Sequence, residues 1–258
     1  MFPTILLNFA IQAGCTVGAI YLCGFIIALL NKGFYRNFGS SALTVCYITG
    51  FIGTPVHECS HALMCLIFGH KITDMKLFQV GARDGTLGYV EHSYNQRNWY
   101  HRIGNFFIGV APVTVISALL FFLSNWLTPG MMGSFVSVNF QGNFFGGIGQ
   151  IFTILGVYVV TWQFWVYLLL AIFLSLHMTM SGPDIKGSLA GMVSLLVPLL
   201  LIDIVLGLVD ASLLVGLTNG IWSLAWYMIP QLIFGVVITA IVYLLSFPLA
   251  RLTRPFRR

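Results

Sequence analysis

The run His57-Glu58-Cys59-Ser60-His61 carries the residue types of a zinc site at the spacing of one helical turn. Positions i and i+4 of a helix lie on one face, so His57 and His61 can direct imidazole nitrogens at the same metal ion. Zinc lowers the pKa of a bound water towards 7, and the adjacent Glu58 is placed to take its proton and pass it to a leaving amine. The run therefore predicts a hydrolytic site with one Zn²⁺ per chain.

Two core histidines and a buried carboxylate are the alternative interpretation of this run, and the composition disfavours it. Of the 258 residues, 58% are hydrophobic and only 7% are charged, whereas soluble domains carry about 25% charged residues. Ionisable groups inside a membrane are costly to bury and are usually functional. We therefore interpret the motif as a metal site within a membrane protein.

Six apolar segments are long enough to cross a membrane, since a spanning helix needs roughly 20 mostly apolar residues. They are Ile5–Leu30, Ser41–Phe68, Ile103–Trp126, Ile148–Ser181, Leu189–Val209 and Ile221–Leu249. The predicted fold is an all-α polytopic membrane protein with about six transmembrane helices, forming one domain over residues 1–258. All five cysteines lie in apolar segments, and an odd number does not indicate a disulfide framework.

A catalytic zinc takes three protein ligands and leaves one position for water, so the motif needs a partner from elsewhere. The acidic residues outside the motif are Asp74, Asp84, Glu91, Asp184, Asp203 and Asp210. In a six-helix arrangement the second and fourth helices run in the same direction, which brings Asp184 to the depth of His61, whereas Asp203 falls nearer the other face. Asp184 is therefore the favoured third ligand. The alternative is that Asp184, following Pro183, caps the first turn of a new helix.

Other metal-ligating residue types lie close to these candidates. His177 precedes Asp184 by about two helical turns. It either bonds to the substrate or to a metal ligand, or it satisfies a partner inside the bundle. Cys65 follows His61 by one turn and is a second candidate for the third ligand, but we interpret it as a packing residue, because buried helix cysteines are usually inert. We interpret the remaining histidines as interfacial residues. They are His70, His92 and His101.

The one long polar segment, residues 69–100, predicts a β-hairpin or small sheet inserted after the second helix. Ile72–Val80 and Leu87–His92 are rich in strand-forming residues, and Asp84-Gly85 between them is a typical turn pair. A later uncharged segment, Leu127–Gly147, predicts a flexible connector.

The basic residues suggest an orientation. With six helices both termini lie on one side, and placing that side in the cytoplasm puts ten of the 12 Lys and Arg residues inside. We expect an integral protein of a bacterial plasma membrane, with both termini cytoplasmic and the site towards the cytoplasm. The net charge of +5 and the basic tail 250–258 indicate contact with anionic lipid of the bilayer rather than nucleic acid.

The segment Gly53-Thr-Pro-Val-His57-Glu-Cys-Ser-His61-Ala, inside a spanning helix, resembles the site-2 protease family of intramembrane zinc metalloproteases. The strand-rich polar segment that follows is also similar, as is Gly109-Val-Ala-Pro112, and Asp184 takes the place of that family's late aspartate. The resemblance covers about Gly50–Gly187. The chain departs from the family in having Pro183-Asp184-Ile185 where Leu-Asp-Gly is usual.

This resemblance implies an enzyme that hydrolyses a peptide bond in or near a transmembrane segment of a membrane-protein or membrane-anchored peptide substrate. It implies a catalytic core at about 41–187, with no PDZ-like or CBS-like regulatory domain. The implied zinc ligands are His57, His61 and Asp184, with Glu58 as the catalytic residue. The substrate-binding candidates are His177, Asn105 and Pro112.

Other functions stay open on the sequence alone. A membrane zinc transporter predicts ionisable residues at several depths of the membrane, whereas these candidates cluster towards one face. A membrane metallohydrolase with a lipid-like substrate is also compatible with the motif. A catalytically inactive scaffold is disfavoured, because the general base Glu58 is intact.

Overall fold

The computed structural model describes residues 2–82, 85–139 and 144–253, most of which are helical. The helices are α1 Phe2–Ala13, α2 Ala19–Phe38, α3 Ala42–Ile67, α4 Trp99–Leu127, α5 Met131–Val136, α6 Phe144–Val159, α7 Trp162–Leu176, α8 Gly182–Val209 and α9 Ala211–Thr253. A π-helical turn joins α1 to α2, and a 3-10 turn joins α2 to α3. Asp84 and residues 254–258 of the predicted basic tail lie outside the described residues.

Several helices are long and apolar enough to cross a membrane, as expected of an integral membrane protein. In the described residues there are four such stretches: Phe2–Ile67, Trp99–Leu127, Gly182–Val209 and Ala211–Arg251. A fifth is counted if α6 and α7, which are bent by 107° at their junction, form one span. The predicted all-α membrane fold is confirmed, whereas the predicted number of six spans is not.

The stretch Phe2–Ile67 contains a reversal of the chain at Gly39, where φ is +56°. Asn31 Nδ2 of α2 donates to the carbonyl of Ser175 at 2.9 Å, and Thr49 Oγ1 of α3 lies 3.1 Å from Nε2 of His177. Asn31 and Thr49 are 18 positions apart, which is about 27 Å along one straight helix. Because both reach the same short segment, α2 and α3 are folded back on each other.

Helices α1 and α2 lie along α9 and run in the same direction as it. Gln12 Nε2 of α1 donates to Thr218 Oγ1 near the start of α9 at 2.8 Å, and Asn37 Nδ2 at the end of α2 donates to Ser246 Oγ near the end of α9 at 2.7 Å. The end of α2 therefore lies beside the end of α9.

This shared direction affects the predicted orientation. Lys32 and Arg36 lie at the same end of the bundle as Arg251, whereas the prediction placed them on the opposite side from the C-terminal tail. The division of ten basic residues inside and two outside is therefore not supported by the helix directions.

Helices α7 and α8 follow one another along α4 and run antiparallel to it. Ser117 Oγ donates to Met178 Sδ at 3.3 Å. About two turns nearer the amino end of α4, Gly109 faces Ser188, and one turn further Phe106 faces Gly191. The five residues His177–Ser181 between α7 and α8 are not helical.

The predicted fourth helix, Ile148–Ser181, is therefore wrong as one continuous element. It is interrupted between α6 and α7, where Thr161 has an extended backbone with ψ of 139°, and it ends at Leu176. The next helix begins at Gly182 rather than at Leu189, because Ser181 caps it there. Pro183 is tolerated in the first turn, since the N–H groups of that turn have no acceptor within the helix. Its carboxyl end, Val209, is as predicted.

The predicted hairpin is confirmed. Strand β1, Lys71–Lys76, pairs antiparallel with β2, Tyr89–Ser93, with Lys71 opposite Ser93 and Lys76 opposite Tyr89. The first strand ends four residues earlier than predicted. The irregular connection between the strands packs back along α3, because Phe78 and Leu87 both contact Gly50.

Helix α4 lies at the centre of the bundle and packs on α3, α7, α8 and α9. Its contact with α8 is close, since a Cβ added at Gly191 would lie 2.1 Å from the backbone nitrogen of Phe106. Glycine at this position therefore sets the separation of the two helices.

We expect Gly191→Ala to lower the free energy of unfolding by about 1–3 kcal/mol, because the new methyl group overlaps the α4 backbone. The matched control is Gly187→Ala on the same helix, where nothing lies within 4 Å of the added Cβ. Unfolding of both variants in mild detergent measures the difference, and equal stabilities would contradict this packing.

Candidate metal centre

Three side chains from two helices converge on one point. His57 Nε2 and His61 Nε2 are 3.2 Å apart, and Asp184 Oδ1 lies 3.4 Å from His61 Nε2. Asp184 Oδ2 lies 4.0 Å from His57 Nε2. The histidines come from successive turns of α3 and the aspartate from the first turn of α8. The structure thus brings together the three predicted ligands.

Backbone carbonyls fix which nitrogen of each histidine faces this point. His57 Nδ1 lies 2.7 Å from the carbonyl oxygen of His177, and His61 Nδ1 lies 2.7 Å from that of Ile108. A carbonyl only accepts, so each Nδ1 carries the proton and donates it. In the neutral rings each Nε2 is left with a lone pair directed at the other.

The donor set fits a small divalent cation. When both rings are neutral, two imidazole lone pairs and a carboxylate oxygen face one another, and a bound cation would remove that repulsion. Zn–N distances of 2.0–2.1 Å at tetrahedral angles place neighbouring ligand atoms about 3.3–3.4 Å apart. Two of the three pairs found here, at 3.2 and 3.4 Å, are close to this separation, and the third, between His57 and Asp184, is 4.0 Å. A carbonyl partner on the far nitrogen is the usual support of a metal-binding histidine.

Asp184 caps a helix, and its other carboxylate oxygen stays available to a metal, so the two roles that the sequence left as alternatives are compatible. Its Oδ2 accepts from the backbone N–H of Ser181 at 2.7 Å, and its own N–H donates to Ser181 Oγ at 3.3 Å. This capping box starts α8. Because the cap uses Oδ2, Oδ1 is left to face His61, and the cap holds the carboxylate in that orientation.

Glu58 lies next to these ligands on α3 and is buried, with 6% of its surface exposed. It is close enough to interact electrostatically with His61 and Asp184. Its carboxylate makes no hydrogen bond within the described part of the chain. Gly88 of the hairpin connection packs against its side chain, since a Cβ there would lie 2.8 Å from Glu58 Cγ.

His177 is bound inside the bundle rather than directed at open space. Its Nε2 lies 3.1 Å from Thr49 Oγ1 and its Nδ1 lies 3.3 Å from Thr54 Oγ1, both on α3. The ring packs where Gly53 leaves room, because a Cβ there would lie 2.4 Å from His177 Cδ2. Of the two roles open from the sequence, the contacts favour the internal partner, with the carbonyl orienting His57.

Pro112 and Asn105 are both buried on α4. Proline has no N–H, so Pro112 cannot donate to the carbonyl four residues earlier, which is that of Ile108. That carbonyl is therefore free of a helical bond and accepts from His61 instead. Asn105 lies elsewhere, on a cavity of about 420 Å³ that also contacts Tyr94, Gln96, Arg102, Ala190 and Ser194.

A second group of ligand types was missed by sequence reasoning. Cys65, His70 and His92 each offer one atom, and these atoms lie within 4.8 Å of one another. Burial lowers the pKa of both His70 and His92 below the ordinary value of a histidine, which favours the neutral rings. The signal in the sequence is that all three residues flank or enter the same polar segment, 69–100.

Comparison of the chain with protein-family models, with curated proteins and with solved structures gave no match. The function is therefore inferred from the site itself.

We expect Pro112→Ala to weaken metal binding by about 10–100-fold, the usual cost of losing a partner of a metal-binding histidine. The alanine restores an N–H that competes with His61 for the Ile108 carbonyl. Titration of the purified protein with zinc measures the affinity. The matched control is Pro198→Ala inside α8, and equal loss of affinity in both variants would contradict this role for Pro112.

Proposed function

We propose that this protein is an intramembrane zinc metalloprotease that hydrolyses a peptide bond in or near a transmembrane segment of its substrate. The observation that carries the proposal is the convergence of His57, His61 and Asp184 beside the unpaired carboxylate of Glu58. The two histidines and Glu58 lie on one helical stretch and Asp184 on another, and both stretches are apolar and long enough to enter a bilayer.

Zinc is the metal that suits this set of two imidazoles and one carboxylate, with a coordination position left open. When bound there, it would act as a Lewis acid and lower the pKa of a water molecule. The chain holds the ligands in place for it, through the carbonyls of His177 and Ile108 and the N–H of Ser181.

Glu58 moves the proton in this proposal. Its position beside His57 on α3 lets it accept a proton from the attacking water and give it to the leaving amine. Its side chain is 6% exposed and packs on Gly88 through Cγ, and no hydrogen-bond donor among the described residues competes for the carboxylate, which keeps it free for this exchange.

A helical peptide bond is shielded, so the substrate must be extended where it is cut. Unwound backbone is tolerated in a membrane only where protein satisfies its polar groups. Gly88 and its neighbours bring the hairpin connection to Glu58, and we propose that the edge of this hairpin pairs with the extended substrate by β-strand addition.

The helix directions support five crossings rather than six. In this arrangement α1 and α2 cross once, α3 returns, α4 crosses, α7 and α8 together return, and α9 crosses last. The return formed by α7 and α8 is broken at His177–Ser181, level with the metal centre. Three carbonyls at this break accept side-chain hydrogen bonds, because Asn31 Nδ2 donates to those of Ser175 and Leu176 and His57 donates to that of His177.

A metal transporter is the second candidate, favoured by one observation. Asp203 is fully buried at another depth of the bundle, where Gln12 Nε2 donates to its Oδ1 at 3.1 Å. Neither of the two groups of metal-ligand types among the described residues includes Asp203. The described residues therefore contain no continuous chain of metal ligands from one face of the bundle to the other. The protease is the better-supported proposal.

We expect Glu58→Gln to bind zinc as the wild type does and to lose cleavage by at least about 100-fold, because the general base is removed and the ligands are kept. The measurement is co-expression with tagged single-pass membrane proteins, followed by detection of the shortened product, with zinc content determined on the purified variants.

His57→Ala is the control that removes a ligand, so it should lose both zinc and cleavage. Unchanged cleavage by Glu58→Gln would rule out the protease mechanism. Hydrolysis of a lipid substrate, or zinc flux that survives in Glu58→Gln, would instead select one of the alternative functions.

The five-crossing arrangement predicts that tags fused before Met1 and after Arg258 lie on opposite sides of the membrane. Accessibility of each tag to protease in intact and permeabilised cells measures this. A tag in the turn at Gly39 should fall on the same side as the C-terminal tag, and two terminal tags on one side would contradict the arrangement.

A further inference from the structure

We propose that Cys65, His70 and His92 form a second metal site, which binds Zn²⁺ and ties the β-hairpin to the end of α3. Cys65 is in the last turn of α3 and is fully buried. His70 follows the helix after Gly69, whose φ of +69° turns the chain back. His92 is in β2. The three residues thus come from three different parts of the fold and meet at one point.

The hydrogen bonds of His70 direct one lone pair at this point. Its Nε2 lies 2.8 Å from the carbonyl oxygen of His101 and must donate to it, so Nδ1 of the neutral ring carries no proton. That Nδ1 lies 3.0 Å from Nδ1 of His92. The ring is also stacked on Tyr94, with 4.8 Å between ring centroids. His70 is therefore held as a metal-binding histidine is held, by a carbonyl on its far nitrogen.

A thiolate with two imidazoles selects for zinc over magnesium or calcium, which prefer oxygen ligands. Zn–S distances of about 2.3 Å and Zn–N distances of about 2.0–2.1 Å place neighbouring ligand atoms about 3.3–3.6 Å apart. The ligand atoms here lie within 4.8 Å of one another, so small side-chain rotations bring them to these separations. One coordination position would remain for water.

The two sites share no ligand but are close together. His61 and Cys65 are one turn apart on α3, about 6 Å along the helix axis. The second ion would fix β2 and the residues after α3 in place, and the hairpin that contains β2 also carries Gly88, which packs on Glu58. Binding at the second site would therefore fix the part of the hairpin that packs on Glu58 beside the first site.

The test is zinc content together with X-ray absorption at the zinc edge, on the full chain purified in mild detergent and loaded with zinc. We expect two zinc ions per chain and a sulfur shell at about 2.3 Å, because the first centre contains no sulfur ligand. One zinc per chain without a sulfur shell would overturn the proposal.

Variants assign each ion to its site. Cys65→Ala should lose one zinc and the whole sulfur shell, whereas the double variant His57→Ala with His61→Ala should lose the other zinc and keep the shell. The matched control is Cys59→Ala, at an exposed cysteine of the same helix, which should keep both ions. A sulfur shell that persists in Cys65→Ala, or disappears in Cys59→Ala, would count against the site.

A second variant protects the test against misfolding of Cys65→Ala. His92→Ala changes a half-buried residue of the hairpin and should also reduce the content to one zinc. Hydrogen exchange gives a readout independent of activity: residues 71–76 and 89–93 should exchange faster in His92→Ala than in the zinc-loaded wild type. If His92→Ala keeps two zinc ions and exchanges as slowly as the wild type, His70 and His92 only bond to each other in the wild type and the proposed site is overturned.

Discussion

Two backbone carbonyls that are not used by their own helices orient the two histidines of the candidate metal centre, and the helix packing places both carbonyls. The carbonyl of Ile108 is free because Pro112 has no N–H to offer it. The carbonyl of His177 is free because the chain leaves the helix there. In an apolar environment an unsatisfied carbonyl is costly, so each freed group needs a donor, and the Nδ1–H groups of His57 and His61 supply them. Orientation of the ligands and satisfaction of the backbone are thus the same interaction.

Close helix contacts make these short bonds possible. Gly53 lets His177 pack directly on α3, and Gly109 faces the first turns of α8, where a Cβ would lie 2.4 Å from the carbonyl oxygen of Asp184. Between membrane helices there is little hydrophobic driving force, so association depends on close packing of small residues and on hydrogen bonds between helices. Glycine at these two positions brings the segments that carry His177 and Asp184 within reach of the motif helix.

The local parts of the site were predictable, and the distant ones were only partly so. The shared face of His57 and His61 follows from helical periodicity. The depth of Asp184 in a six-helix arrangement also indicates it, although the predicted fourth helix is broken. The break before α8 has a signal, Ser181-Gly-Pro, but it lies in apolar sequence that also suits a continuous span. The shared direction of α1 and α9 depends on contacts of Gln12 and Asn37 with residues some 200 positions away. The second ligand group was hidden because Cys65 and His92 meet only through the hairpin.

Asn31 implies an order of assembly. Its side-chain amide bonds to the last carbonyls of α7, at Ser175 and Leu176, from the first helical hairpin of the chain. A helix that ends within the bilayer is costly until such a donor is present. Because the chain is made from its amino end, Asn31 is already in the membrane when α7 is inserted. The pair α2 and α3 can therefore stabilise the end of α7 as soon as it forms.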